Sequence, residues 1–382
     1  MASRLRARLN AMAAASGASS QSAPRKGLIR YAVRLPVEPG LDTLSATGLR
    51  RIGWSGRAFA AGKCLFLDTE TTGLSGGAGT IAFLVGAGYL EDGAFVVEQF
   101  LMGDYADEPE LIDCLANLME RFSCVCTFNG RNFDMPLLET RFTMCRMRHR
   151  WQEMENLDLL YPARRIWKLR LGSCRLSRLE EQVLGLSRTD DLPGSQVPER
   201  YFQYLKSGDL TLLEDIVRHN RQDIATLATL LVRLCEIYDA PEQLAERKDL
   251  FSAGKALERQ GELQPARELY RISAIPPPAG TLAALTGERI AGMANWRLYL
   301  IARRSGDVES MRAVLTQMLS RGQMTCAVNT ELSKLYEHRL HDLNRALECA
   351  RRAREQCAEE EIEALEHRIR RLEEKLKRDM EE

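Results

Sequence analysis

The sequence lacks the features that would indicate a membrane, a secretory signal or a nucleotide-binding loop. No apolar run reaches the ~18 residues that a transmembrane helix needs, and no apolar segment precedes a small-residue cleavage site. The glycine-rich stretch after Thr72 contains no lysine, which excludes a phosphate loop ending in Gly-Lys-Ser/Thr. The same stretch formally matches a dinucleotide-binding pattern, but a strand-like segment follows it where that site needs a helix. We therefore expect neither membrane association nor a nucleotide loop.

Net charge and cysteine spacing add little about partners. The 53 basic side chains balance the 53 acidic ones, and the ten cysteines show no repeated spacing. Cys124 and Cys126 form the one close pair, on the same face of an apolar strand and with no histidine nearby. Reduced core thiols in a cytoplasmic protein explain this pair better than a zinc site.

The chain of 382 residues exceeds one hydrophobic core, which predicts two domains and a tail. Residues 1–30 hold six basic residues and no acid, so we expect a disordered basic arm there; a transit peptide and a short amphipathic helix are the alternatives. Residues 31–240, with a core at 64–235, form the predicted α/β domain. Residues 245–382 form a predicted helical region.

Strand-like and helix-like segments alternate in the first of these domains. Apolar runs predict strands at 64–68, 80–90, 94–102 and 124–128, and helical spacing predicts helices at 108–122, from Pro136 and over 210–238. Asp209 is placed to cap the long helix, although Thr211 and Glu214 also have the spacing of a capping box. This order predicts a mixed sheet flanked by helices.

The second domain contains a weak internal repeat. Three segments align when Gly261, Gly306 and His341 are superposed, at spacings of 45 and 35 residues. The shorter spacing is close to the tetratricopeptide (TPR) period of ~34 residues, and the proline-rich segment at 276–278 supplies an insertion for the longer one. The charged final helix is expected to cap the repeats or to be solvated, because its heptads are too few for a coiled coil.

Acidic side chains recur in an ordered set within the first domain. Asp68 and Glu70 lie on one face of a strand, where their charges repel unless a cation, a proton or water intervenes. Asp134 follows the fourth strand, and Asp223 lies on the long helix. Taken singly, each acid could be solvated or could cap a helix. Taken in order, the set predicts carboxylates that gather at one point.

The motifs Asp-x-Glu, Asn-x-x-x-Phe-Asp and His-x-x-x-Asp resemble those of the DEDD superfamily of 3′–5′ exonucleases, whose fold is ribonuclease H-like. The chain is more closely similar to the YprB-type ribonuclease H-like family over about Cys64 to Cys235. Blocks such as "FLDTETTGLSGGAGTIAFLVG", "TFNGRNFDMPLLETR" and "HNRQDIATLATLL" carry the resemblance. Members of this family also carry a repeat-like C-terminal half.

The resemblance implies that four carboxylates bind two divalent ions, either Mg²⁺ or Mn²⁺. Hard oxygen ligands suit these ions, which also relieve the repulsion among the acids. Asp68 is expected to bridge the ions, Glu70 and Asp223 to bind the ion that holds the nucleophilic water, and Asp134 to serve the other.

His219 completes the predicted catalytic set, but its spacing departs from the superfamily pattern. The subgroup with a catalytic histidine places it five residues before the last aspartate, whereas His219 lies four residues before Asp223, as the tyrosine subgroup does. A general base, a water-orienting side chain and a packed histidine all remain open.

The substrate prediction depends on local charge. Residues 141–178 carry ten Arg or Lys against three acids, with Trp151, Tyr161 and Trp167 interleaved. Such a pattern favours single-stranded nucleic acid, although buried aromatics beside solvated arginines would look the same. The candidate substrate-binding residues are Thr69, Asn129, Arg164, Arg165 and Trp167. For Asp158 we expect a structural role.

The sequence therefore predicts a metal-dependent nuclease, foremost a 3′–5′ exonuclease on DNA or RNA. A structure-selective endonuclease of the same fold is the enzymatic alternative. A non-catalytic adaptor that binds nucleic acid or protein through its helical repeats is the alternative from another class. In each case the repeats are expected to bind a protein partner or to guide substrate.

Overall fold

The computed structural model describes residues 27–56, 58–73, 79–186, 193–275 and 282–381. The chain divides into two compact units, Met1–Ala240 and Pro241–Glu382. Most of the predicted basic arm, the middle of the glycine-rich loop and the proline-rich break at 276–278 lie outside the described residues. Within the described residues, none of the helices is both long enough and apolar enough to cross a membrane.

A six-stranded mixed sheet forms the centre of the first unit, as predicted. Its strands are β1 (Ile29–Pro36), β2 (Cys64–Thr71), β3 (Ala82–Glu91), β4 (Ala94–Leu101), β5 (Cys124–Thr127) and β6 (Glu155–Asp158). They lie in the order β1-β4-β3-β2-β5-β6. Strands β2, β3, β4 and β1 pair antiparallel, whereas β5 and β6 run parallel to β2. The strand that carries Asp68 and Glu70 is therefore central.

Two strands were not predicted. Strand β1 begins at Ile29, so the last two residues of the predicted basic arm pair with β4. Its arginines alternate with buried or half-buried residues, as on an edge strand with one solvated face. Strand β6 is only four residues long and too polar to stand out in the sequence.

Helices cover the sheet and carry the rest of the site. In chain order they are α1 (Ala46–Ile52), α2 (Glu108–Met119), α3 (Asp134–Met144), α4 (Leu160–Leu171), α5 (Leu176–Leu179), α6 (Val197–Ser207) and α7 (Glu214–Asp239). A 3₁₀ turn, Leu210–Leu213, leads into α7, and Asp209 caps it by accepting the Thr211 N–H. Asp209 thus caps this 3₁₀ turn and not the long helix as predicted, because α7 itself begins at Glu214, after Leu213, which makes no side-chain cap bond.

Helix α7 lies very close to β3 because two glycines of that strand remove the side chains between them. A Cβ at Gly86 would lie 2.2 Å from Asn220 Oδ1, and one at Gly88 would lie 2.4 Å from Ile224 Cγ2. The pair Asn220 and Ile224 is one helical turn apart, which matches the two-residue repeat of a strand face. A glycine inside a strand commonly marks such an approach.

The second unit is helical, as predicted. Its helices are α8 (Arg247–Arg259), α9 (Leu263–Ala274), α10 (Leu282–Ser305), α11 (Val308–Ser320), α12 (Thr325–His338), α13 (Leu343–Gln356) and α14 (Glu359–Glu381). The residues aligned in the sequence repeat, Gly261, Gly306 and His341, have φ of 81°, 71° and 53°. Each lies in the turn between two consecutive helices, so the three segments share one local structure.

The final helix packs on the repeats through apolar and charged contacts. Leu365 and Leu372 are buried, and the buried Glu337 of α12 accepts hydrogen bonds from Arg368 and Arg371 of α14. A carboxylate with this burial requires such partners. Helix α14 therefore covers the end of the helical unit, as expected of a capping helix.

Candidate active site

Strand β2 presents Asp68, Thr69 and Glu70 at the centre of the sheet. Asp68 lies opposite Gly86 of β3, and Glu70 lies opposite Leu84 of the same strand. The pairing register shifts between Glu70 and Thr71. The strand is fully buried up to Leu67 and half-buried from Asp68 onward. The acids therefore lie where the strand leaves the core, as the sequence pattern predicts.

Asp134 comes to β2 from the first turn of α3. Its Oδ1 accepts a hydrogen bond of 2.6 Å from the Thr69 hydroxyl, and its side chain is buried. The turn before it is tight: Asn129 has φ of 69°, and a Cβ at Gly130 would lie 2.5 Å from Thr127. This turn aims Asp134 back at the strand.

Asp158 holds the same turn from the end of β6. Its carboxylate accepts the backbone N–H groups of Asn129 at 2.7 Å, Arg131 at 3.2 Å and Leu160 at 3.1 Å. The Asp158 carboxylate therefore stabilises the backbone of the turn with three hydrogen bonds. The structural role predicted for Asp158 is confirmed.

Helix α7 supplies His219, Asn220 and Asp223 to the site. His219 Nε2 lies 3.4 Å from Asp223 Oδ2, as the four-residue spacing on one helical face predicts. Asn220 Nδ2 donates to Asp68 Oδ2 at 2.9 Å. The helix and strand β2 are therefore in direct contact at the carboxylates.

The pKa values show that the acids share one electrostatic environment. Burial raises the pKa of Asp68 well above its usual range, and the charges of Asp223, Asp134 and Glu70 raise it further, while Asn220 opposes the shift. Burial also raises the pKa of Asp134 to about 6, against hydrogen bonds from Thr69. The site thus gathers acidic groups in a poorly solvated place, where burial and the neighbouring acids oppose the ionisation of Asp68.

This donor chemistry fits divalent cations, although the side chains are engaged with protein groups. Among the described residues, no group of three Asp, Glu, His or Cys side chains is arranged to hold a metal ion. Thr69 engages Asp134, Asn220 engages Asp68, and His219 lies against Asp223. A cation would therefore bind carboxylates that these contacts already orient.

A cleft of about 700 Å³ opens beside the acids. Its lining includes Asp68, Thr69, Asn129, Asn132, Phe133 and Asp134. Phe133 is 54% exposed, which is unusual for a large apolar side chain next to a buried acid. The cleft therefore combines acidic groups with an accessible aromatic face.

The predicted substrate-binding residues divide into two groups. Thr69 and Asn129 line the cleft, whereas Arg164 and Arg165 are exposed on α4. The stacking role predicted for Trp167 is wrong, because its ring is 1% exposed and packs in the core. Tyr161 lies nearer the site, since its hydroxyl accepts a hydrogen bond of 2.9 Å from Asn132 Nδ2.

Sequence reasoning missed Phe133, Asn132 and Asn220. Phe133 precedes Asp134 directly, and an aromatic side chain beside a predicted metal ligand was a usable signal. Asn220 follows His219 in the helical motif, but its contact with Asp68 depends on how closely the helix approaches the sheet.

A mixed sheet with acids on its central strand, completed by acids from two helices, defines a ribonuclease H-like domain of nuclease type. In agreement, a family model described as the RNase_H superfamily matches residues 65–235. The chain is also 30% identical over 330 residues to a Bacillus subtilis (strain 168) protein described as "Uncharacterized protein YprB". That match covers 84% of this chain and 77% of the relative. The chain belongs to the YprB-type family of ribonuclease H-like proteins.

Proposed function

We propose that this protein is a metal-dependent 3′–5′ exonuclease that hydrolyses phosphodiester bonds of DNA or RNA with two Mg²⁺ or Mn²⁺ ions. The observation that carries the proposal is the shared electrostatic environment of four carboxylates from β2, α3 and α7, two of which, Asp68 and Asp134, line an open cleft. A chain that served only as an adaptor would have no need of four acids gathered in this way.

Asp68, Glu70, Asp134 and Asp223 would hold the ions. When bound, two such ions supply a nucleophilic water at neutral pH and stabilise the leaving oxygen of a phosphodiester. The protein itself contributes a fixed strand, a buried floor and hydrogen bonds that orient the carboxylates.

His219 orients water in this proposal. Its Nε2 lies 3.4 Å from Asp223 Oδ2, so the imidazole lies beside a predicted ligand of the ion that would hold the water. The four-residue spacing, which the tyrosine subgroup shares, supports orientation of water over general-base catalysis.

The substrate strand would enter along the cleft and α4. Phe133 offers a face on which a terminal base can stack, and Arg164 and Arg165 offer cations for the phosphates that follow. Asn132 joins the two regions through its hydrogen bond to Tyr161.

We also propose that the helical unit is TPR-like and binds a protein partner or guides substrate. The shared turn geometry at Gly261, Gly306 and His341 supports this assignment. A cytoplasmic location accords with ten free cysteines, including Cys64 and Cys124, whose thiols lie 3.6 Å apart.

The test is hydrolysis of end-labelled single- and double-stranded DNA and RNA with Mn²⁺, Mg²⁺ or EDTA. We expect metal-dependent release of nucleotides from the 3′ end, with losses of several orders of magnitude in Asp68→Asn and Asp223→Asn. Asp113→Asn, which changes an exposed acid on α2, is the matched control. Activity that persists in EDTA, or in both site variants, would contradict the proposal. Internal cuts in a circular substrate would indicate the endonuclease instead.

A further inference from the structure

Three neighbouring strands place a row of residues, two buried and one half-buried, under helix α7. Asp68 of β2 is the direct cross-strand partner of Gly86 in β3, and Gly86 is the direct partner of Gln99 in β4. The glycine leaves a gap between the two polar side chains. Asn220 of α7 fills this gap, since a Cβ at Gly86 would lie 2.2 Å from its Oδ1.

The amide of Asn220 bridges the two ends of the row. Its Nδ2 donates to Asp68 Oδ2 at 2.9 Å and approaches the Asp68 carbonyl at 3.3 Å. Its Oδ1 accepts a hydrogen bond of 2.8 Å from Gln99 Nε2. Asn220 and Gln99 are 0% and 1% exposed, so the bond between them forms away from solvent, and the bonds to Asp68 are partly buried.

The orientation of this amide is determined by its surroundings. Gln99 Nε2 also donates to the Val217 carbonyl at 2.8 Å, and Gln99 Oε1 accepts from Arg221 Nε at 3.2 Å. Gln99 must therefore present its N–H to Asn220. Asn220 in turn must present its N–H to Asp68, because the reverse orientation would place its oxygen against a carboxylate.

We propose that Asn220 is a positioning residue that holds the Asp68 carboxylate ready for a divalent cation, an inference that rests on the proposed function. A fixed N–H on Oδ2 limits the rotation of the carboxylate, so that Asp68 would meet a cation in one orientation. It also offsets part of the repulsion from the other acids. Gly86 and Gln99 belong to the same device, since one makes room for the amide and the other orients it.

A residue that supports a metal ligand typically changes metal affinity by 10–100-fold when it is removed. A residue that merely fills the core changes the stability of the fold and leaves the affinity of the folded protein unchanged. The measurement that separates these roles is Mn²⁺ binding to the full-length protein without substrate, by calorimetry and by electron paramagnetic resonance.

Two variants remove the device by different routes. Asn220→Ala deletes the amide, whereas Gly86→Ala keeps the amide and every carboxylate but displaces Asn220. Gly88→Ala is the matched control, because its Cβ would lie 2.4 Å from Ile224 Cγ2 under the same helix, at a purely apolar contact. Circular dichroism and urea unfolding would establish that each variant is folded.

We expect Mn²⁺ affinity to fall about 10–100-fold in Asn220→Ala and in Gly86→Ala, whereas Gly88→Ala loses stability and keeps its affinity. Wild-type affinity in either of the first two folded variants would overturn the inference and leave the proposed function intact. Equal losses in Gly86→Ala and Gly88→Ala would also overturn it, since displacement of the helix would then explain both. A wild-type protein that binds no Mn²⁺ would overturn the inference and the proposed function together.

Discussion

Removal of the charge at Asp134 should stabilise the metal-free protein at neutral pH. Burial raises the pKa of this carboxyl from an ordinary 3.8 to about 6 in the folded chain. The folded state therefore prefers the protonated acid, and stability falls as the pH rises from the unfolded pKa to the folded one. This difference between the two pKa values lowers the free energy of unfolding by ~3 kcal/mol at pH 7.5.

Asp134→Asn keeps the shape of the side chain and one oxygen that can accept the Thr69 hydroxyl. It loses the second acceptor oxygen, which lowers the gain by ~1 kcal/mol. We therefore expect the variant to be more stable than wild type by ~2 kcal/mol in EDTA at pH 7.5. Most of this difference should disappear by about pH 4, where the wild-type acid is protonated in the folded state.

The assay is urea unfolding followed by tryptophan fluorescence, because Trp54, Trp151 and Trp167, three of the four tryptophans, lie in the first unit. Asp158→Asn is the matched control: it also neutralises a buried acid, but it weakens three backbone hydrogen bonds and should destabilise the fold. Addition of Mn²⁺ should reduce or reverse the stability advantage of Asp134→Asn, because binding of the ion stabilises wild type more than the variant. The reasoning would be refuted if Asp134→Asn were less stable than wild type at pH 7.5. It would also be refuted if the stability advantage of the variant were as large at pH 4 as at pH 7.5.

Three further predictions concern the substrate, the second unit and His219. Trp167→Ala should lower the free energy of unfolding in urea by ~3–5 kcal/mol and leave the oligonucleotide affinity of the folded protein unchanged. Phe133→Ala should keep the stability of the fold and weaken single-strand binding by ~1–3 kcal/mol, measured by fluorescence polarisation. The reverse pattern would contradict the assignment of these two rings. A chain ending at residue 240 should remain folded and cleave short oligonucleotides in the presence of Mn²⁺; insolubility or complete loss of cleavage would show that the helical unit completes the site. His219→Tyr should retain most of the single-turnover rate and His219→Ala should lose it; a Tyr variant as inactive as Ala, with a wild-type rate that falls below about pH 6.5, would favour a general base instead.

Simple periodicities explain why the sequence could predict that the acids lie near one another. Alternation along β2 puts Asp68 and Glu70 on one face, and the four-residue spacing puts His219 beside Asp223. Asp134 follows β5 and begins a helix, so its position near the carboxyl ends of the parallel strands β2 and β5 could also be expected. These relations are local, and local geometry is what a sequence pattern contains.

Trp167 shows how composition misled the substrate prediction. The basic residues around it suggested a stacking partner, yet Ala163, Ile166 and Trp167 form one buried stripe on α4. That helical spacing was visible in the sequence and predicts a core face. The arginines lie on the opposite, solvated side, so charge and aromatic rings alternate along the chain without meeting in space.

The contact between Asn220 and Asp68 could not be predicted, because it depends on strand register and on the two glycines of β3. Without a side chain at Gly86 and Gly88, a helix rich in core residues descends onto the sheet, and its polar side chains reach the acids of β2. Burial raises the pKa of Asp68 well above its usual range, the charge of Asp223 on this helix raises it further, and the hydrogen bond from Asn220 opposes the shift. Gathered acids destabilise the metal-free fold, and a bound cation would stabilise it by offsetting their repulsion. The two glycines, the Asn220 amide and the raised pKa values of Asp68 and Asp134 therefore all favour a cation at this site.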